Sequence, residues 1–186
     1  DFTGVCALDE KTVWIVGRYG TILSTTDGGK QWTLQSGATP SNPLQSIVLT
    51  PEGKGWAVGK RGMIIRTEDS GKTWREQKSD VEGGLNALDS VDSRKAGAVG
   101  DRGNILHTEN GGETWTLQKG NDWYGLHDVR FLNSKIGWAI GELGGIFYTR
   151  DGGEHWTQQR GFIWESLRAL YFLDQNEGWA VGWPGI

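Results

Sequence analysis

GWAIGELGGIFYTRDGGEHW, residues Gly137–Trp156, is one of four near-copies of a single stretch. The others are VWIVGRYGTILSTTDGGKQW (Val13–Trp32), GWAVGKRGMIIRTEDSGKTW (Gly55–Trp74) and AGAVGDRGNILHTENGGETW (Ala96–Trp115). A fifth opens at Gly178 as GWAVGWPGI and runs to the last residue. The glycine closing the first half stands at 17, 59, 100, 141 and 182, a step of 42 and then of 41 three times. A fixed period of this size marks a chain built by repeating one supersecondary unit, each copy burying an apolar face against the next.

Each copy reads as strand, tight turn, strand, tight turn, strand. In the second, Trp56–Val58 is a short apolar run bounded by Gly55 and Gly59, and Lys60–Arg61–Gly62 turns the chain. Met63–Thr67 is predicted as the next strand, Glu68–Lys72 as a second turn and Thr73–Gln77 as a further strand. Glycine serves such turns because some of their residues take positive φ. Between copies lie further apolar segments, Leu44–Leu49, Leu85–Val91, Leu126–Leu132 and Leu167–Leu173. Four short antiparallel strands in about 41 residues match one blade of a β-propeller. The expected fold is therefore all-β and one domain, with blades over 2–36, 44–78, 85–119 and 126–159 and a half-blade over 167–186.

The last turn of each copy has its own chemistry. It reads Thr25-x-Asp27-x-Gly29-x-x-Trp32, with Thr67, Asp69, Gly71 and Trp74 in the second copy. Thr108, Asn110, Gly112 and Trp115 take these places in the third, and Thr149, Asp151, Gly153 and Trp156 in the fourth. An Asp or Asn side chain accepts hydrogen bonds from the N–H groups of its own loop. This is the Asp-box, or BNR repeat. Asp27, Asp69, Asn110 and Asp151 are read as turn-formers, since Asn110 can accept those bonds but cannot act as a general acid. The Trp residues at 32, 74, 115 and 156 are read as core.

Length, charge and ends limit the function. The chain has 186 residues, a net charge of −4, eleven Trp and thirty Gly. Interspersed charge of this sign argues against general nucleic-acid binding. No apolar run approaches the ~18 residues of a membrane-spanning helix. The lone Cys6 permits neither an internal disulfide nor a Cys-based zinc site, and it sits in an apolar first strand. The chain opens without Met or a signal sequence, and its fifth copy stops half-way. It reads as a processed product or fragment whose end blades are completed by further residues or by self-association.

The extended motif G-W-A-V-G-x-x-G-x-I-x-x-T-x-D-x-G-x-x-W, carried by Gly55 through Trp74, resembles the photosystem II stability and assembly factors of cyanobacteria and plastids and their bacterial relatives. The likeness covers nearly the whole chain; Ala96-Gly97 and Asn110 depart from it. It implies a non-enzymatic propeller without cofactor or metal that binds a polypeptide, such as a membrane-protein precursor or an acidic segment. It also implies an extracytoplasmic site, in periplasm or thylakoid lumen.

In a propeller, the turns between second and third strands share a face with the loops joining blades; the Asp-box turns lie opposite. Binding uses the first face, where loops vary without disturbing the blades. Arg18, Arg61 and Arg102 fall there in adjacent blades and are expected to form a basic arc suited to carboxylates, with Arg18 offset by one position. Trp123, Tyr124, Phe162 and Trp164 lie in the joining loops, outside the blade pattern, as candidate anchors of an interface, and Trp183 stands in the last turn.

A carbohydrate-binding or glycoside-hydrolase propeller is the alternative, because Asp-boxes also occur in sialidases. Such an enzyme needs two carboxyl groups about 5–10 Å apart. Asp80, Glu82, Asp101, Asp122, Glu142 and Glu165 offer acids, but there is no Arg-Ile-Pro opening. His107, His127 and His155 fall at unrelated repeat positions without ligand spacing, and no nucleophile or phosphate-loop motif occurs. No catalytic residue is assigned.

Overall fold

The computed structural model of the protein describes residues 1–35, 42–119, 124–159 and 164–183. The first blade holds β1 (Phe2–Ala7), β2 (Val13–Gly17), β3 (Ile22–Thr25) and β4 (Thr33–Leu34). The second holds β5 (Leu44–Leu49), β6 (Gly55–Gly59), β7 (Ile64–Thr67) and β8 (Arg75–Gln77). The third holds β9 (Leu85–Ser90), β10 (Ala96–Gly100), β11 (Asn104–Thr108) and β12 (Thr116–Lys119). The fourth holds β13 (Leu126–Phe131), β14 (Gly137–Gly141), β15 (Ile146–Thr149) and β16 (Thr157–Gln159). β17 (Ser166–Phe172) and β18 (Gly178–Trp183) pair as a two-stranded sheet. Each four-stranded sheet is an antiparallel meander in chain order.

In the second blade, two strand starts differ from the sequence expectation. Met63 closes the turn, donating its N–H to the Lys60 carbonyl, so β7 begins at Ile64. Thr73 spends its N–H and its hydroxyl on the Asp69 carboxylate, which delays β8 to Arg75.

The core is not one mass but a series of seams. One cluster joins Trp14, Val16 and Ile22 of the first blade to Leu44, Ile47, Ile65 and Trp74 of the second. The next joins Trp56, Val58 and Ile64 to Leu85, Leu106 and Trp115. A third sets Val99 and Ile105 against Leu126, Val129 and Phe147, and a fourth sets Ile140 against Leu167 and Leu170. Trp74, Trp115 and Trp156 therefore pack on the blade before their own. Trp74 is 2% exposed, but Trp32, placed in the core by the sequence reading, is 40% exposed. Among the described residues no blade stands against it on that side.

Across each seam, a side chain of one inner strand accepts a backbone N–H of the next. Cys6 Sγ accepts the Leu49 N–H at 3.3 Å, and Ser46 Oγ accepts that of Leu88 at 3.4 Å. Asp89 and Asp128 take the N–H groups of Phe131 and Leu170, both at 2.8 Å. Burial pushes the proton affinity of both carboxylates up, against the pull of these N–H donors and of Arg130.

Candidate functional site

The turns between second and third strands set the site. In Lys60-Arg61-Gly62-Met63, Arg61 has φ 59° and Gly62 φ 67°, a type I′ turn. The same geometry recurs at Tyr19-Gly20, Arg102-Gly103 and Leu143-Gly144. Glycine is required at the second position: a Cβ on Gly62 would stand 2.1 Å from the Val81 carbonyl. The first position has no such need. It nevertheless carries Tyr19, Arg61, Arg102 and Leu143, all exposed, in a left-handed conformation that costs a side chain about 1 kcal/mol.

These turns dock on the loops that join blades. Gly62 donates to the Gly83 carbonyl at 2.7 Å and Gly144 to that of Glu165 at 2.8 Å. The Asp-box turns lie at the other end, stitched to the first hairpin of each blade by Gly28, Ser70, Gly111 and Gly152 N–H donors. There Thr25, Thr67, Thr108 and Thr149 donate to Asp27, Asp69, Asn110 and Asp151, whose Oδ1 then accepts the N–H four residues on. These bonds hold the Asp27 and Asp69 carboxyls below the usual range. The Asp151 carboxyl falls to about 2 despite some desolvation, helped by His155 at 2.8 Å.

Arg61 and Arg102 occupy the same turn position in neighbouring blades; the first blade has Tyr19 there. Arg18 sits one residue earlier, where the later blades have Lys60, Asp101 and Glu142, and forms an exposed ion pair with Asp1 at 3.2 Å. This earlier position changes sign between the second and third blades. Arg18 and Lys60 border a 510 Å³ cleft with Asp1, Thr3, Tyr19, Pro43 and Gln45. Of the loop aromatics, Tyr124 is half-buried and Trp164 is 81% exposed. Trp123 and Phe162 lie outside the described residues.

The sequence reading missed a second tier. Every inner strand carries a β-bulge at the same register, skipping Thr3, Gln45, Asn86, His127 and Arg168 in turn. All five are polar. Thr3 and Asn86 donate to the next blade, at the Leu44 and Leu126 carbonyls. Thr3 and Gln45 also line the 510 Å³ cleft, so the bulges supply a polar floor beneath the turn side chains. Burial, followed by the Arg168 charge, lowers the proton affinity of His127. The signal was five polar residues at the repeat period, visible only once the bulge is known to turn them to one face.

The candidate acids are mostly committed. Asp101 accepts from Gly84 N–H and Asn86 Nδ2, Glu142 from Gly125 N–H, and Glu165 from Trp164 N–H. Asp80 pairs with Lys78 at 2.8 Å, Glu82 is exposed, and Asp122 lies outside the described residues. No helix among the described residues is long and apolar enough to cross a membrane.

Among solved structures, a YCF48 bound to a D1 peptide matches with a TM-score of 0.56 at 15% identity, over 97% of this chain and 90% of that one. Virginiamycin B lyase from Staphylococcus aureus matches with a TM-score of 0.83 at 13% identity, over 97% and 63%. An ancestral GH74 enzyme matches at 0.75 and 13%, over 92% and 26%. At these identities the likeness concerns the fold alone. No curated protein sequence matches. The blade motif is more telling: the family profile of Photosynthesis system II assembly factor YCF48 matches residues 1–122, and the chain belongs to that family.

Proposed function

We propose that this chain is a non-catalytic propeller that binds a polypeptide on the face of its type I′ turns, with Arg18, Arg61 and Arg102 meeting an acidic segment or a free C-terminal carboxylate. The observation that carries the reading is the row of large side chains in left-handed backbone. Tyr19, Arg61, Arg102 and Leu143 stand where Gly or Asn costs less, all at one end of the sheets. Strain kept in four blades and aimed at one face fits side chains retained for what they touch. Arginine supplies bidentate bonds to carboxylates, and Tyr124 and Trp164 in adjoining loops supply apolar area, with Trp123 and Phe162 as further proposed anchors.

A D1 peptide is what one structural relative holds, which supports a polypeptide as the partner class. On this reading the partner is a membrane-protein precursor or its soluble tail, met outside the cytoplasm. The glycan alternative draws no support from the turn-face acids, since Asp101, Glu142 and Glu165 already accept bonds from N–H groups of the joining loops. Apolar side chains such as Phe2, Leu34, Tyr171 and Trp179 stand exposed on the first and last sheets, and self-association through them is a second proposed contact. Light scattering checks it: a monodisperse monomer at working concentration removes it.

The test is calorimetry with an acidic peptide carrying a free or an amidated C-terminus. Arg61→Ala with Arg102→Ala should weaken binding at least about tenfold and flatten its salt dependence. Unchanged affinity in that double variant sinks the arginine reading.

A further inference from the structure

The seam between the third and fourth blades differs from the second in what its buried polar atoms meet. In the seam before it, Gln77 Oε1 accepts the indole N–H groups of Trp56 and Trp115 at 3.2 and 3.1 Å, and Gln77 Nε2 donates to the Gly111 carbonyl. One period later Gln118 stands for Gln77, but Gly97 stands for Trp56. Trp156, in the place of Trp115, turns its N–H to the Gly153 carbonyl, as Trp74 does to that of Gly71. Gln118 Nε2 still finds a carbonyl, that of Glu154. Its Oε1 is left buried with no donor.

A second atom is orphaned in the same cleft. His107 occupies the place of Arg66 on the preceding strand, is only 6% exposed, and its Nε2 has no partner. Both side chains line one 320 Å³ cleft, with Glu109, Asn110, Thr116 and Glu154 on its other walls. Lys95 holds Glu109 at 2.7 Å; the Glu154 side chain is exposed. The wall thus offers ligand atoms: an imidazole nitrogen in the tautomer with its proton on Nδ1, a carboxamide oxygen and two carboxylates, of which one already has its counter-charge. A buried acceptor without a donor is costly, and a cation satisfies several acceptors at once.

We propose that this cleft binds a divalent cation of the zinc class, with His107 Nε2, Gln118 Oε1 and the Glu154 carboxylate as protein ligands. Imidazole with oxygen donors suits such ions better than magnesium or calcium. The spacing is invisible in the sequence because the ligands come from two blades. The rival is the surface group Asp151, Glu154 and His155, whose ligand atoms lie within 4.8 Å of one another. Its His155–Asp151 contact, however, repeats a bond internal to the turn, made by Thr73 to Asp69 and by Asn110 to Thr114.

Zinc alone, titrated into the whole chain by calorimetry, tests the proposal, with cobalt as a coloured probe of the ligand set. One equivalent should bind. Affinity should fall at least about tenfold in His107→Gln and in Glu154→Gln and stay unchanged in His155→Ala. The visible cobalt spectrum should change in His107→Gln. Glu154 is exposed, so its variant keeps the assay valid if the buried histidine variant fails to fold; zinc should raise the melting temperature of the parent chain and not that of Glu154→Gln. Absence of stoichiometric binding, or binding lost in His155→Ala and kept in His107→Gln, overturns it.

Discussion

Trp56 and Trp115 stand edge to face across the second seam, ring centroids 6.4 Å apart and planes at 86°, and share one acceptor, Gln77 Oε1. A single carboxamide satisfies two indoles in neighbouring blades. Gln77→Ala should therefore orphan two N–H groups, one of them on the fully buried Trp56, and cost about 3 kcal/mol. Gln118→Ala, one period on, has no indole to orphan and should cost about 1 kcal/mol. Urea unfolding of the two variants side by side checks the difference; equal losses would contradict it.

The contrast shows what the sequence carried. The period, the four strands and the Asp-box turn are local, written in Gly59, Gly62, Thr67, Asp69 and Gly71, and were legible from one copy multiplied. The sharing of a face by type I′ turns and joining loops was legible too, since it follows from a meander of four strands. Contacts between copies were not. That Trp32 loses its cover, that Phe131 fills the space over Gly97, and that Thr3 and Gln45 floor a cleft depend on which blade stands beside which. Those pairs lie about one period apart, and no local propensity reports them.

Arg61→Gly separates strain from recognition. Glycine takes φ 59° without penalty, so the variant should gain about 1 kcal/mol in unfolding free energy while binding the acidic peptide more weakly. Gly62→Ala goes the other way, because its φ is 67° and the Val81 carbonyl blocks a Cβ. Denaturation midpoints and peptide affinity, measured together, should move in opposite senses for Arg61→Gly.

The buried acids predict the sign of a pH effect. Burial raises Asp89 and Asp128 above the ordinary carboxyl value of 3.8, and the Arg130 charge opposes it in both. A raised folded value means stability that is full below 3.8 and fades as pH rises through the folded value. Arg130→Gln should raise both further and cost about 0.5–1 kcal/mol at neutral pH, with a smaller loss at pH 3, where both acids are protonated. Unfolding curves of this variant and its parent at the two pH values provide the measurement.

Asp151 behaves in the opposite sense. Its carboxyl lies at about 2, so its contribution is present above 3.8 and lost as pH falls from there toward 2. Asn110 already fills this position in the third blade, accepting from Thr114 N–H and donating to the Thr114 hydroxyl. Asp151→Asn should thus leave stability at pH 7 nearly unchanged and make the acid limb shallower. A large loss at pH 7 would mean the charge itself, rather than the accepted bonds, holds the turn.

Gly97 and Phe131 form an exchangeable pair. A Cβ on Gly97 would stand 2.9 Å from the Phe131 ring, so the two positions compete for one volume. One period earlier the division is reversed: Trp56 is large, and the residue matching Phe131 is Ser90. Gly97→Trp alone should overpack the seam and cost at least about 1–3 kcal/mol, and Phe131→Ser alone should leave a void costing about 3–5 kcal/mol. Together they rebuild the earlier seam and offer an indole N–H to the orphaned Gln118 Oε1. The double variant should be more stable than the sum of the singles implies, with a coupling of at least about 2 kcal/mol in a double-mutant cycle. It should also lose zinc binding, since the indole takes the oxygen assigned to the metal. Additive losses would mean that the two positions do not share a volume, and that the missing tryptophan is not what opens the cleft.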